Sequence, residues 1–458
     1  MSWTVTLALY GWIPLVATLF ALLPPSRAVL IAYFGGWMFL PIANLETFGF
    51  FDYQKSTAIP AVVFLCSIAF DGARWSRLRF TWPDLPVLAF CAVPLFSSLS
   101  NGLGWYDGLS SVMYQCVIWG LPYATGRAYF ASLAGTKQVA VAMLAAGLVY
   151  APLCLWEIRM SPQLHAIVYG FQQHDWVQVL RGGGYRPMVF MQHGLMVGLW
   201  MCAASLVAMA LWMSGALRQL WGIPMYAVVA FLCGTTALCK SFGAIALLLA
   251  GVACLWVMRA ARTSLPMALL VCVPAAYVAV RVSGYWSGEQ LVQAVSKVSE
   301  DRASSLAYRI HSEESLRVRA AEKPLFGWGG WNRSITHRAD DPDQATLVTI
   351  DSLWIILFGK NGYAGLVSVL LLFLVPVLML WKHCSPGLWD GGGAVWPWTI
   401  ALVLTLYALD GLANAMLNPV YLLMAGALCG LAPARHRVPA RKTFVKQRAR
   451  AFAGANAQ

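Results

Sequence analysis

The chain has 458 residues, of which 59% are hydrophobic and 11% are charged, and its formal net charge is +13. A soluble domain carries about 25% charged residues, so this composition excludes a soluble globular protein and indicates an integral membrane protein. Its apolar runs approach 20 residues, about twice the length of outer-membrane strands, and therefore predict an all-α, polytopic helical bundle.

Apolar segments recur along the whole chain and predict about 12–13 membrane-spanning helices. The first, from Val5 to Leu23, lacks the charged flank and small-residue cleavage site of a removable signal. We place the spans near residues 5–23, 28–44, 57–71, 84–99, 108–124, 136–156, 188–213, 223–239, 241–258, 264–282, 350–382 (with a break), 396–410 and 417–432.

Basic residues are concentrated in alternate loops and in the segment 433–458, which holds seven Arg or Lys and no acid. By the positive-inside bias, that side is cytoplasmic, with the C-terminus inside and the N-terminus outside. The same tail could bind nucleic acid, but a cytoplasmic tail is the interpretation we adopt, and we expect no nucleic-acid partner.

These spans divide the chain into six parts. They are N-terminal transmembrane helices (1–156), an external loop with an interfacial helix (157–187), central transmembrane helices (188–282), a large external loop (283–349), C-terminal transmembrane helices (350–432) and a basic cytoplasmic tail (433–458). The cysteines lie almost all within apolar spans without metal-ligand spacing, and no Walker motif occurs. We expect no metal and no cofactor.

Several ionisable residues fall at the outer ends of spans, where charges are costly and often functional. Arg186 and His193 would share one helix face, about 10 Å apart, if a helix runs through both. Lys240 lies in a tight outer turn. Glu157, Arg281 and Asp410 also end spans on this side, either as parts of the site or as residues exposed to water.

The interval 301–366 is the longest polar stretch between spans. A helix from Ser304 or Ser305 to about Lys323 would place Arg302 and Arg309 two turns apart, with Arg317 extending the basic face. Guanidinium groups bind phosphate oxygens in bidentate fashion, so this face suits a phosphate ligand. The alternative is a solvated helix neutralised by its own glutamates.

Four segments of the chain resemble the bacterial O-antigen ligase and polymerase family of membrane glycosyltransferases. They cover about half of the chain, from Glu157 onward. They are GYRPMVFMQHG (184–194), LCKSFGAIALLLAG (238–251), YRIHSEESLRVRAAEKPLFGWG (308–329) and DSLWIILFGKNGYAGL (351–366).

The resemblance implies a GT-C-like fold in the bacterial inner membrane with a periplasmic active face. It also implies an undecaprenyl diphosphate-linked glycan donor, a glycan or lipid acceptor, and work beside polysaccharide export machinery. Arg309 and Asp351 would then be catalytic, while substrate would be bound by Arg186, His193, Lys240, Arg302 and Arg317. Transfer would be inverting and metal-independent.

Two departures from the family pattern favour a polymerase of secreted polysaccharide, or a divergent subfamily, over a lipopolysaccharide ligase. The family commonly has histidine where this chain has Asp351, and Ser-Arg-Gly where it has Ser241-Phe242-Gly243. Two other functions stay open at this point. They are a transporter or flippase of polysaccharide precursors, and a non-catalytic membrane scaffold.

Overall fold

The computed structural model describes residues 2–45, 52–176, 179–181, 183–297, 300–336, 351–383 and 393–431, except for the side chains of 301, 302 and 305. Within these ranges the protein is all-α. The helices are α1 Trp3–Leu22, α2 Pro25–Phe39, α3 Lys55–Ser76, α4 Leu85–Ser100, α5 Gly104–Gln115, α6 Leu121–Phe130, α7 Leu133–Met160, α8 Leu164–Tyr169, α9 Gly194–Met213, α10 Met225–Leu238, α11 Phe242–Ala260, α12 Leu265–Val282, α13 Glu289–Ser296, α14 Glu300–Ala321, α15 Leu353–His383, α16 Val395–Asp410 and α17 Pro419–Cys429.

Short elements complete the connections. A 3₁₀ turn at Trp82–Asp84 precedes α4, and a π-helical turn at Cys116–Gly120 joins α5 to α6. Three antiparallel pairs of two-residue strands close hairpins: β1 Asn44–Leu45 with β2 Tyr53–Gln54, β3 Leu180–Arg181 with β4 Gly184–Tyr185, and β5 Gln219–Leu220 with β6 Ile223–Pro224.

The protein is a multi-pass membrane protein by helix length and hydropathy. Among the described residues, eight helical segments are long and apolar enough to cross a membrane: Trp3–Leu22, Lys55–Ser76, Trp82–Ser100, Leu133–Met160, Gly194–Met213, Phe242–Ala260, Leu265–Val282 and Leu353–Lys382. The other five predicted spans fall on the shorter helices α2, α10, α16 and α17 and on the joined α5–α6. The predicted helical membrane architecture is therefore confirmed.

The core of the bundle lies around α9, in which 89% of an 18-residue apolar stretch is buried, together with α16 and α17. Trp200 and Trp398 are fully buried there. Helices α6 and α17 pack backbone to backbone, because an added Cβ at Gly126 or Gly426 would collide with a main-chain carbonyl of the other helix. Close approach through small residues is the usual packing mode of helices in lipid.

Two predicted helix boundaries are wrong. Helix α9 begins at Gly194 instead of 188, and residues 186–193 are not helical. Helix α14 begins by Glu300, ahead of the predicted serine cap, although it ends at Ala321, just before Pro324, as expected. The short helix predicted in the first external loop corresponds to α8, Leu164–Tyr169.

Candidate functional site: a polar cluster at one end of the bundle

Loops from distant parts of the chain meet at one end of the bundle, the end that the charge bias assigns to the outside. The Arg186 guanidinium donates to the Lys240 carbonyl oxygen at 3.2 Å. The Arg309 guanidinium donates to the carbonyl oxygen of Ala413, just after α16, at 3.3 Å. Two of the predicted site residues, Arg186 and Lys240, thus lie in loops joined by a direct contact, and Arg309 ties helix α14 to the loop after α16.

The segment before α9 is held by a buried carboxylate. Glu157, at the end of α7, accepts hydrogen bonds from the backbone N–H groups of Met188 and Val189 at 2.8 and 2.7 Å, and from that of Leu164 at 3.1 Å. The backbone of Val189 is left-handed, with φ 52°. This anchoring replaces helical hydrogen bonds, so Arg186 and His193 do not share a helix face as predicted.

Arg186 and Lys240 pack against glycines that leave room for them. A Cβ on Gly194 would collide with the Arg186 side chain, and one on Gly184 would collide with the Lys240 ammonium. Arg186 is almost fully buried, at 4% exposure. Gly184 and Gly194 therefore leave the space that the side chains of Lys240 and Arg186 occupy.

His193 caps α9 and lies among cations. Its Nδ1 accepts a hydrogen bond from the Leu195 backbone N–H at 3.0 Å, so the neutral ring carries its proton on Nε2. Burial, together with the charges nearby, lowers the pKa of His193 to about 4. Those charges belong to His174, Arg186, Arg181 and Arg309. At neutral pH this histidine is therefore an uncharged hydrogen-bond donor.

Arg309 and Asp351 form an ion pair at 3.1 Å between α14 and the start of α15. Both side chains are about a third exposed, at 31% and 40%. An exposed pair of this kind contributes under about 1 kcal/mol to folding. The pair lines a small pocket with a cavity volume of about 10 Å³, together with buried Ser352 and Glu313. The guanidinium is also within electrostatic reach of the buried Asp410.

A buried polar network fixes α14 to the bundle, and the sequence did not reveal it. Glu313 accepts hydrogen bonds from Ser352 and, at 3.2 Å, from the Trp354 indole, and it pairs with Arg281 at 3.3 Å. Burial raises the pKa of Glu313, against the lowering effect of these partners. From the sequence, Glu313 enters only in the alternative of a solvated helix neutralised by its own glutamates. Its position three residues before apolar Leu316 was the available signal.

The remaining predicted site residues lie elsewhere or are not described. Arg317 pairs with Glu314 at 2.6 Å on its own helix and packs beside Gly284, away from the ion pair of Arg309 and Asp351. The side chain of Arg302 and the basic tail 433–458 lie outside the described residues. Arg281, Glu157 and Asp410 are only 0%, 1% and 8% exposed. The alternative that they are span-end residues exposed to water is therefore wrong.

Helix α15 breaks at Gly362, and the turn after α14 fills the break. Gly362 has φ 60° and ψ −161°. The Tyr363 and Ala364 N–H groups donate to the Pro324 and Leu325 carbonyls at 2.7 and 3.1 Å. Conversely, the N–H groups of Trp328 and Gly329 donate to the Gly359 and Lys360 carbonyls at 2.8 and 2.9 Å. Backbone groups freed by the break are thus satisfied inside the protein, as an apolar environment requires.

An apolar cleft adjoins the Arg309–Asp351 pair. It lies between α12, α15 and α16 and has a cavity volume of about 40 Å³. Its lining runs from Val271 and Phe373 to Leu353 and Gly411. Leu353 follows Asp351 by two residues, and its N–H donates to the Gly411 carbonyl at 3.0 Å. The cleft therefore ends beside the charged pocket, so an apolar surface and an ion pair lie side by side.

A scan of the chain against protein-family models found no match, and neither did a search among curated proteins. The likeness to membrane glycosyltransferases therefore rests on the four segments alone.

Proposed function

We propose that the protein is a periplasm-facing membrane glycosyltransferase that transfers or polymerises lipid diphosphate-linked oligosaccharide. The observation that carries this proposal is the apolar cleft between α12, α15 and α16, ending beside Arg309 and Asp351. A polyisoprenyl diphosphate has this form, a long hydrocarbon joined to a compact anion.

The cations support the same assignment. Arg309 and Arg186 both act electrostatically on His193, and Arg186 contacts Lys240. Departure of a lipid diphosphate builds up negative charge, which preorganised guanidinium and ammonium groups can stabilise. His193 would add an Nε2–H donor without adding charge.

The proposed reaction is a single displacement. The acceptor hydroxyl oxygen bonds to the anomeric carbon while the bond from that carbon to the diphosphate oxygen breaks, which inverts the configuration. The hydroxyl proton passes to the Asp351 carboxylate. Because Arg309 holds Asp351 at 3.1 Å in the free protein, a bound diphosphate would compete for the guanidinium and release the carboxylate for this role.

Reconstitution with a lipid diphosphate-linked oligosaccharide tests the proposal. We expect chain elongation or transfer with release of lipid diphosphate, and a loss of about 100-fold or more in Arg309→Gln and in Asp351→Asn. Arg159→Gln, an exposed arginine at the outer end of α7, is the matched control and should retain activity. Absence of lipid diphosphate release from folded wild-type protein, with movement of the intact lipid between leaflets, would favour a flippase instead.

A further inference from the structure

A second charged cleft lies at the opposite end of the bundle, where α3 and α6 end. Its cavity volume is about 440 Å³, and four arginines line it: Arg74, Arg77, Arg79 and Arg127. Helix α3 bends at Asp71, which has φ −145° and ψ 41°, and the cleft opens at this bend. Nothing in the proposed transfer reaction uses this site.

Two of the arginines form a rigid wall. Arg127 makes a bidentate contact with the fully buried carboxylate of Asp84, at 2.8 and 3.0 Å. Arg74 pairs with Asp71 at 2.9 Å and lies over the ring of Tyr129, 4.7 Å from its centroid. These contacts hold both guanidinium groups in place without a ligand.

The other two arginines leave the cleft electropositive. Among the residues that the structure describes, neither Arg77 nor Arg79 forms an ion pair, and both are exposed. Four arginines against the carboxylates of Asp71 and Asp84 leave two positive charges in excess. Such an excess in a preformed cleft favours a bound anion.

Exposed aromatic side chains beside the cleft indicate where that anion comes from. Phe70, Phe80 and Trp82 are 50%, 51% and 61% exposed. Aromatic residues in this position mark the boundary between lipid hydrocarbon and headgroups. Basic pockets between transmembrane helices on the cytoplasmic side are suited to anionic lipid headgroups.

We propose that the cleft formed by Arg74, Arg77, Arg79 and Arg127 binds the phosphate-bearing headgroup of an anionic phospholipid from the adjoining leaflet. Arg77 and Arg79 supply the guanidinium donors to the phosphate, Arg74 and Arg127 form the fixed wall, and the exposed aromatics contact the acyl chains. This site is independent of the proposed glycosyl transfer.

Native mass spectrometry of the full-length protein in detergent, titrated with cardiolipin, tests the proposal. The double variant Arg77→Gln/Arg79→Gln should lose affinity for cardiolipin by about tenfold or more. The matched control Arg218→Gln/Arg259→Gln removes two exposed arginines predicted on the same side and should bind as the wild type does. Phosphatidylcholine should bind all three proteins equally.

Equal cardiolipin affinity in the double variant and the wild type would overturn the proposal, as would an equal loss in the control. Inorganic pyrophosphate provides a further arm. If it binds the wild type as tightly as cardiolipin does and requires the same arginines, the site serves a soluble phosphate and the lipid assignment is wrong. If the double variant has a lowered melting temperature, Arg77→Lys/Arg79→Lys replaces it. This variant keeps both positive charges but removes the bidentate guanidinium donors, so we expect a partial loss of affinity for cardiolipin.

Discussion

At the scale of single residues, buried polar groups fix the positions of the charged and polar side chains in the candidate site. Glu157 places the segment that carries Arg186 and His193 by binding backbone N–H groups. His193 in turn uses Nδ1 to cap α9, which leaves Nε2–H directed away from that cap. Hydrogen bonds to the main chain therefore organise this polar cluster as much as charge does.

Replacing His193 by Asn should make the free energy of unfolding depend less on pH below about 6.5. The folded-state pKa of about 4 lies below the ordinary 6.5, so the unfolded chain binds more protons between these values. Stability therefore falls as pH falls from about 6.5 to about 4, by up to about 3 kcal/mol. His193→Asn keeps an N-cap acceptor but cannot titrate, so it should lose less stability over this interval.

Thermal unfolding in detergent across that pH range measures the effect. His311→Asn, which replaces an exposed histidine of α14, serves as the control and should follow the wild-type profile. An unchanged slope in His193→Asn would contradict the buried, neutral assignment.

At the scale of helices, two sets of contacts hold α14 against the transmembrane helices. One is the pairing of its following turn with the break in α15. The other is the network of Glu313 with Arg281, Ser352 and Trp354. Together they fix Arg309 opposite Asp351.

Gly362→Ala should break the first set of contacts. The position has φ 60° and ψ −161°, and an added Cβ would lie 2.5 Å from the Leu325 carbonyl carbon and oxygen. We expect a loss of about 2 kcal/mol or more, because only glycine adopts this backbone readily. Gly234→Ala, in open space within α10, should be neutral or slightly stabilising. Melting temperatures of the two variants in one detergent provide the comparison.

Glu313→Ala should break the second set of contacts. It leaves the fully buried Arg281 without its carboxylate, a change that costs about 3–5 kcal/mol. The neighbouring Glu314→Ala removes only a partly exposed pair with Arg317 and should cost under about 1 kcal/mol. Limited proteolysis of α14 distinguishes them: rapid cleavage is expected only in the Glu313 variant, and similar rates in both would refute the anchoring role.

At the scale of the whole molecule, the two charged regions lie at opposite ends of the bundle, and the charge bias assigns them to opposite sides of the membrane. The outer end gathers Arg186, Lys240 and Arg309, and the other gathers Arg74 and Arg127. The first adjoins an apolar cleft and the second adjoins exposed aromatics. Sidedness therefore decides which anion each region can meet.

Two exposed tryptophans provide a matched test of sidedness. Trp331, after α14, is 80% exposed, and Trp221, in the β5–β6 hairpin, is 78% exposed. In a background without reactive cysteines, Trp331→Cys should react with a membrane-impermeant maleimide in intact cells. Trp221→Cys should react only after permeabilisation. The reverse pattern would place Arg309 on the cytoplasmic side and rule out the periplasmic reaction.

Helix content and membrane class followed from the sequence, because apolar length and charge asymmetry are local properties that need no partner. The break in α15 and the helix α14 were also predicted on such local grounds. The outer position of Arg186, Lys240 and Arg309 stays a prediction of the charge bias. The helix supposed to join Arg186 to His193 was not correct, because the carboxylate of Glu157, about 30 residues earlier, competes for its backbone hydrogen bonds.

What the sequence determined by itself is thus a polytopic helical membrane protein with polar groups collected at helix ends. Only the tertiary structure decided which of these groups meet. It paired Arg309 with Asp351, buried Glu313 against Arg281 and directed Arg317 to its own helix. The reason is physical: hydropathy depends on each residue in its own span, whereas pairing depends on helix ends far apart in the chain that packing alone brings together.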